Sequence, residues 1–456
     1  MSTGKLFDDD ALQAPSTEAT LPEEDEGEAR VRVPDRSQMV MVTYDVDALI
    51  GPEHPARAMW ELLGRMDLSG LYEAIRARGS RPGRAATDPK LLLCLWLYAT
   101  SEGVGSARQL ARLTTAHDAY KWICGGVSVN HDLLADFRVS HEAVLDALLT
   151  QLLTVLLQAG LVTLRRVAQD GVKVRASAGA ASFRTKKRLR QFELEAQSQV
   201  RRVKRLADAD PGRVRERAAE RRAVEERAQR LEQALDQMRR REEKARRKAD
   251  AEAAPAKVAA PPPSGKATKE LRVSTTDPEA RVMKMADGGF RPAYNVQLAT
   301  DVDSQFVVGM SVSNNGTDYG ELGPMVAQVE ERLAPVDEVL VDGGFVNLAT
   351  FDDLEKKGVT LYAPVTRSRS KDRDPHARKP NDTDRTFAWR TRMATEEAKT
   401  IYKDRAATAE RVNADLREHR GLTKLRVRGL DRVRPVILLM VLAYNLGHLA
   451  AVGGLG

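Results

Sequence analysis

Hydrophobic spacing along the chain switches several times between the helical and the strand period. From residue 40 to 165 apolar positions recur at helical intervals. Thr87-Asp88-Pro89 reads as a helix start, a capping Asp followed by Pro at the first helical position, and the apolar run 89–100 continues it. Ser106 caps a short helix through residue 113, Asn130 caps another through 138, and Ser140 opens a long helix reaching residue 158. Short helices joined by Gly-containing turns fit a DNA-binding helical module, and a plain helical bundle equally well.

The period changes at residues 164–176. β-Branched residues alternate around Asp170-Gly171, which predicts a hairpin with an acid at its tip or at a strand end. Helical spacing returns over 186–250. One apolar stripe runs through Leu189, Phe192, Ala196, Val200, Val203 and Leu206. A second follows coiled-coil intervals through Val224, Ala228, Leu231, Leu235 and Met238. Asp210-Pro211-Gly212 breaks the helix between them, so an antiparallel helical hairpin is expected. Beyond an Ala/Pro-rich stretch, strand signals at 293–299, 306–312, 338–341 and 360–365 enclose a helix at 322–333. Such interleaving argues for an α/β domain that begins near 160, is interrupted by the hairpin and resumes near 280. A long helix at 395–419 and an apolar helix at 434–452 close the chain.

The resulting organisation is an acidic disordered tail (1–38), a helical DNA-binding domain (39–160) and the first part of a catalytic domain (161–185). The inserted coiled-coil hairpin (186–250), an Ala/Pro linker (251–275) and the rest of the catalytic domain with its C-terminal helices (276–456) follow. The 456 residues suffice for two or three domains, at about 100–200 residues each. Residues 1–36 carry ten acidic and four basic side chains, whereas 186–250 and 366–434 each carry a net +9. The whole chain has net charge +7, which favours a polyanionic partner. Two cysteines, Cys94 and Cys124, exclude a disulfide scaffold and a Cys-rich zinc site, and a reduced cytoplasm is the expected compartment. The longest apolar stretches, 143–162 and 436–446, read as core helices: the first is broken by Asp146, Gln151 and Gln158, and the second is shorter than the ~20 residues a bilayer takes. Neither these nor the first residues carry a membrane or targeting signal, so no membrane partner is expected.

Three carboxylates stand out. Asp170 and Asp342 each precede glycine at a strand end, the functional edge of an α/β sheet, and Glu410 lies on a later helix amid basic side chains. Acids on separate elements can converge on two divalent cations, and oxygen ligands suit Mg²⁺. The seven histidines show no metal-ligand spacing, and His131 and His141 read as structural. Asp301 and Asp318 are secondary acids, the latter in a structural or capping role. Trp96 and Trp122 read as helical core, and Trp389 as packed in preference to stacked on an unpaired base.

From residue 40 to 450 the chain resembles an insertion-sequence transposase of the DDE class, with an RNase H-like catalytic domain and a helical N-terminal transposase domain. Gly83, Asp88-Pro89, Ser106-Ala107-Arg108, Leu110, Asn130-His131 and Phe137-Arg138 follow that N-terminal domain. The stretch Asp170 to Ala176 resembles the first acidic motif, Asp277 to Arg281 and then Tyr294 to Gln297 the segment preceding the second and third strands, and Val341 to Phe345 the second motif. Tyr402, Arg405, Glu410 and Arg417 resemble the third, and Arg428-Gly429-Leu430 with Tyr444-Asn445-Leu446 the closing segment. Phe345 stands where the family often has Tyr, and Arg417 where it has Lys. Four residues, in place of the usual three, separate Arg405 from Glu410, so the two lie about 140° apart around a helix.

The resemblance implies an α/β fold, a mixed sheet with flanking helices. It implies Asp170, Asp342 and Glu410 as catalytic, metal-binding residues for two Mg²⁺, with Mn²⁺ as a substitute. It implies cleavage at the element's ends and strand transfer into target DNA. The implied partners are double-stranded DNA, as terminal inverted repeats and target, and further copies of the chain in a homodimer or larger synaptic complex. Lys173, Arg175, Arg411 and Arg417 are the DNA-backbone candidates. Localisation would be cytoplasmic, on the nucleoid. Rival readings are an inactive or domesticated transposase that only binds DNA, a coiled-coil interaction protein, and an RNase H-like nuclease that cuts without rejoining.

Overall fold

The computed structural model describes residues 45–77, 85–209, 214–253, 270–366 and 374–453, with Ser37, Met39 and Thr43. The acidic tail, the Asp210-Pro211-Gly212 break and most of the Ala/Pro stretch lie outside the described residues.

Seven helices come first: α1 (Pro55–Gly64), α2 (Ser69–Glu73), α3 (Pro89–Ser101), α4 (Ala107–Ala116), α5 (Asp118–Cys124), α6 (His131–Ser140) and α7 (Glu142–Gln158). Three expected caps form. Asp88 accepts the Lys90 N–H at 2.9 Å, Ser106 that of Gln109 at 3.4 Å and Asn130 that of Leu133 at 2.8 Å. Ser140 does not open α7. It ends α6, where its hydroxyl donates back to the Asp136 carbonyl, and His141 precedes α7 without a side-chain cap. Helix α3 is buried on every side from Leu91 to Thr100, because α1, α5, α6 and the last helix surround it.

The strands are β1 (Arg166–Arg175), β2 (Phe183–Arg184), β3 (Val273–Ser274), β4 (Arg281–Lys284), β5 (Phe290–Asp301), β6 (Val307–Ser313), β7 (Glu338–Leu340) and β8 (Thr360–Tyr362). Six of them form one mixed sheet in the order β4-β5-β1-β7-β8, with β6 also paired to β5. The pairings β4–β5, β5–β6 and β5–β1 are antiparallel, and β1–β7 and β7–β8 are parallel. The expected hairpin at Asp170-Gly171 is absent, because β1 runs straight through both residues. Strands β2, β3 and β4, two to four residues each, carry no alternation long enough to read.

Helices α8 (Lys186–Ala209) and α9 (Val214–Ala253) lie between β2 and β3. They pack antiparallel: Lys186 pairs with Glu242 at 2.6 Å, and Arg227 donates to Gln199 at 3.5 Å. Leu189, Ala196, Leu231, Ala234, Met238 and Val273 form a small core of their own, joined by the partly buried Phe192, Ala228 and Leu235. Ala234 belongs to neither stripe, and Leu206 is exposed. The β2–β3 pair sits where the two helices leave the sheet domain.

The remaining helices are α10 (Leu322–Arg332), α11 (Leu348–Lys356), α12 (Asp384–Arg392), α13 (Glu396–Glu418) and α14 (Leu430–Ala451). Helix α10 packs on β6 close enough that a Cβ on Gly309 would meet Met325 Sδ and Val329 Cγ2 at 2.8 Å. Helix α13 crosses β1, β5 and β8. Helix α14 is apolar and long enough to span a bilayer, yet 78% of that stretch is buried against α3, α6, α7 and β6. Asn445 fastens it to the sheet: its amide donates to the Val307 carbonyl at 2.9 Å and accepts the Val307 N–H at 3.0 Å. The helical region and the sheet thus share one hydrophobic core. The mixed sheet, its flanking helices and the helical region before it are compatible with an RNase H-like domain.

Candidate functional site

The site is built on β1 and its parallel neighbour. Ala168 pairs with Leu340, so two residues further along both chains Asp170 comes level with Asp342. Asp342 follows β7 and starts a turn of 3-10 helix, Gly343–Phe345, where its Oδ1 accepts the Gly344 N–H at 2.8 Å. Phe345 is fully buried and anchors that turn. Both carboxylates therefore rest on fixed backbone.

Helix α13 supplies the other wall. Asn413 Nδ2 donates to Asp170 Oδ2 at 2.8 Å, and Arg405 Nη1 lies 3.8 Å from Asp170 Oδ1. The Arg405 guanidinium also sits over the Tyr402 ring at 5.8 Å. Burial raises the Asp170 pKa above the usual range; Arg405 and the Gly171 N–H pull it down, and Asp342 and Asp318 push it up. Burial also raises the Tyr402 phenol, with Arg405 opposing and the Asp342 and Asp170 charges adding to the rise.

A further polar group adjoins these carboxylates: a Cβ on Gly344 would stand 3.0 Å from Asp342 Oδ1 and 3.6 Å from Asp318 Oδ2. Asp318 accepts Asn295 Nδ2 at 2.8 Å and Gln297 Nε2 at 2.7 Å on Oδ1, and Lys173 Nζ at 3.0 Å on Oδ2. These donors explain Gly171. A Cβ there would stand 2.6 Å from Gln297 Nε2 and 2.8 Å from Asp318 Cγ, with Oδ1 nearer still. Glycine is present because a carboxylate lies against the backbone, not because the chain turns. Asp318 caps no helix, and is instead a buried, ion-paired anchor.

The sequence candidates fall out as follows. Asp170 and Asp342 are together. Glu410 is exposed on α13, about 60° around the helix from Asn413. Among the described residues, no three His, Cys, Asp or Glu side chains stand close enough to hold a metal ion. Lys173 is engaged with Asp318, and Arg175, Arg411 and Arg417 are exposed. Asp301 is buried at the end of β5, where it accepts from Ser304 and from the Leu164 N–H. Trp389 is buried, donates to the Ala363 carbonyl at 3.2 Å and stacks edge-on with Phe351. Trp96 is likewise buried, donating to the Leu134 carbonyl, and Trp122 donates to Asp47. The contact of Asn413 with Asp170 escaped the sequence, although Asn413 lies three residues beyond Glu410 and so within one helical turn of it.

A mixed sheet with one carboxylate on β1 and another just past the parallel β7 is compatible with an RNase H-like domain. Two family models match the chain: the transposase DDE domain over residues 268–446 and the transposase domain DUF772 over residues 44–140. Together they match an insertion-sequence DDE transposase. No curated protein and no solved structure matches the chain.

Proposed function

We propose that the chain cuts DNA at insertion-sequence ends and transfers the freed strands into target DNA, with Asp170, Asp342 and Glu410 as its metal-binding acids. The observation that carries this reading is the nearness of Asp170, on β1, to Asp342, just past the end of the parallel strand β7. The donor set fits the group: two carboxylates held side by side repel one another, and an oxygen-only site suits a hard dication, Mg²⁺ or Mn²⁺. Two such ions supply Lewis-acid stabilisation of the phosphodiester oxygens and acidify water.

The chain's own residues place and hold. The sheet fixes the separation of Asp170 and Asp342, and Asn413 and Arg405 orient Asp170. Glu410, exposed on the helix that touches Asp170, is the third acid. Hydrolysis breaks the P–O3′ bond at the element's end and leaves a 3′-hydroxyl. That hydroxyl then attacks a target phosphodiester, forming a new P–O bond and expelling the target's 3′-oxygen. Arg175, Arg411 and Arg417, and the donors of Lys173 that Asp318 leaves over, contact the DNA backbone.

The finer organisation belongs to the same proposal. Residues 39–160 read the terminal inverted repeats. The catalytic domain is split into 161–185 and 276–456, and 186–250 is an inserted coiled coil. Joining two ends requires a homodimer or larger complex, working in the cytoplasm on the nucleoid.

The test is excision and integration in cells, from the gene with its native flanking DNA. Wild type should excise and insert, whereas Asp342→Asn and Glu410→Gln should do neither. Activity that persists in either variant removes that residue from the mechanism. The outward position of Glu410 and the Asn413–Asp170 bond favour a second reading, a DNA-binding protein without catalysis. Wild type that binds DNA but never excises would support that one.

A further inference from the structure

Helix α13 ends at Glu418, and after a turn the chain passes beside the far end of β1, where Lys424 bridges to Arg175 in parallel. The Arg175 N–H donates to the Thr423 carbonyl at 3.2 Å, and the Leu425 N–H to the Arg175 carbonyl at 2.8 Å. Extended chain alternates its faces. Leu425 and Val427 are buried, whereas Lys424, Arg426 and Arg428 are exposed on the other side, with about 6.5 Å between successive members.

Two cavities adjoin this basic row. One, of about 510 Å³, lies against the α3–α4 turn and is lined by Trp96, Gly105, Arg138, Arg420, Lys424 and Arg426 among others. Its neighbour, of about 530 Å³, includes Arg175, Arg291, Lys424 and Arg428. They share Ser177 and Lys424, and no carboxylate lines either. Arg420 is neutralised by Asp415 at 2.7 Å and Arg291 by Asp287. Lys424, Arg426 and Arg428 make no ion pair with a carboxylate among the described residues.

Arg138 marks the place. It is 8% exposed, its guanidinium lies 4.7 Å from the Trp96 ring, and Nη1 donates to the Gly105 carbonyl at 2.6 Å. Its Nε has no acceptor, and among the described residues no carboxylate pairs with it. Three other buried or half-buried arginines are matched by a carboxylate, Arg166 by Glu338 at 2.6 Å, Arg390 by Asp382 at 2.7 Å and Arg392 by Glu355 at 2.6 Å, whereas Arg281 and Arg241 donate to Gln237 and backbone carbonyls. Burial, and then the facing Arg426, push Arg138 down to about 10. A buried cation opposed by another cation is unfavourable unless an anion arrives from outside.

We propose that the joined cavities are a phosphodiester track. Arg138 and Arg426 receive one backbone phosphate, and Lys424, Arg428 and Arg175 take the following ones. The track starts five strand residues from Asp170, roughly 16 Å away. It therefore holds DNA that continues past the carboxylates and is a site separate from them. Naming DNA as the source of the phosphates rests on the transposase reading, and the anion site itself rests on Arg138 and its neighbours.

The experiment measures affinity of the full chain for a random-sequence duplex against salt, in chelator, so that no cutting intervenes. Lys424→Gln with Arg426→Gln should weaken binding and flatten the log K against log salt slope by about 1.8, two phosphate contacts at about 0.9 each. Lys356→Gln with Lys357→Gln, two exposed lysines outside both cavities, removes the same charge and should leave the slope unchanged. A slope in the first pair equal to wild type, or to that control pair, overturns the track. Asp342→Asn should keep the full slope in chelator but abolish cutting of the native insertion-sequence ends in a separate assay with Mg²⁺, so failure of the catalytic reading shows in cleavage and failure of the track shows in the slope.

Discussion

Replacing Gly171 by alanine adds one methyl group at the most crowded point of β1. The new Cβ would meet Gln297 Nε2 at 2.6 Å and Asp318 Cγ at 2.8 Å, where ordinary contact begins at 3.4 Å. The strand has little room to retreat, because β5 pairs with it from Val167 to Arg175 and β7 from Arg166 to Ala168. Asp318 must move, and it is tied by Lys173, Asn295 and Gln297 at 2.7–3.0 Å. Overpacking costs about 1–3 kcal/mol. Hydrogen bonds to a charged group contribute about 1.5–3 kcal/mol each, so losing one brings the total to about 2.5–6 kcal/mol. Urea unfolding of wild type, Gly171→Ala, Asp318→Ala and the double variant would measure it. Asp318→Ala alone leaves Lys173 and two buried amides without their acceptor. Once Asp318 is gone, the methyl group has less to strike, so the double variant should lose less than the two singles added. An unchanged midpoint for Gly171→Ala, or strict additivity in the cycle, would refute the close approach of Asp318 as the reason for glycine.

Three further outcomes are expected. The raised Asp170 pKa means that the folded state holds its proton to higher pH than the unfolded state, so ionised Asp170 disfavours folding. In chelator, Asp170→Asn should therefore be more stable than wild type at neutral pH, with the gain shrinking as pH falls through the folded pKa towards the model-compound value of 3.8, as denaturation midpoints across that range would show. Adding Mg²⁺ or Mn²⁺ should raise the melting temperature of wild type more than that of Asp170→Asn or Asp342→Asn, because only the former keeps both carboxylates. Arg390→Gln strips the partner from Asp382, which is 1% exposed at its side chain, and should cost about 3–5 kcal/mol in unfolding free energy.

Much of the fold was legible because its signals are local. A cap needs one side chain and the next few backbone N–H groups, so Asp88, Ser106 and Asn130 could be read correctly. Strands β5 to β8 show as β-branched or apolar runs bounded by turns. Asp342 was findable for the same reason, as an acid followed by two glycines at the end of such a run. What failed depended on distant partners. Asp-Gly normally marks a turn, and only Asp318, 147 residues further on, explains why Gly171 sits in mid-strand. Ser140 could cap either helix beside it, and the backbone carbonyl of Asp136 claimed its hydroxyl. The Asn413 contact depends on the rotation of α13 over β1, which hydrophobic spacing sets only to within a residue or so. The unmatched Arg138 is invisible in sequence, since its carbonyl acceptor and the facing Arg426 come from separate elements.

The most direct test of the central claim is electron paramagnetic resonance of Mn²⁺ titrated into the purified full chain. If Asp170, Asp342 and Glu410 form the metal site, wild type should bind Mn²⁺ saturably. Asp170→Asn and Asp342→Asn should each abolish that binding, and Glu410→Gln should weaken it. Equal binding by wild type and all three variants would contradict the assignment.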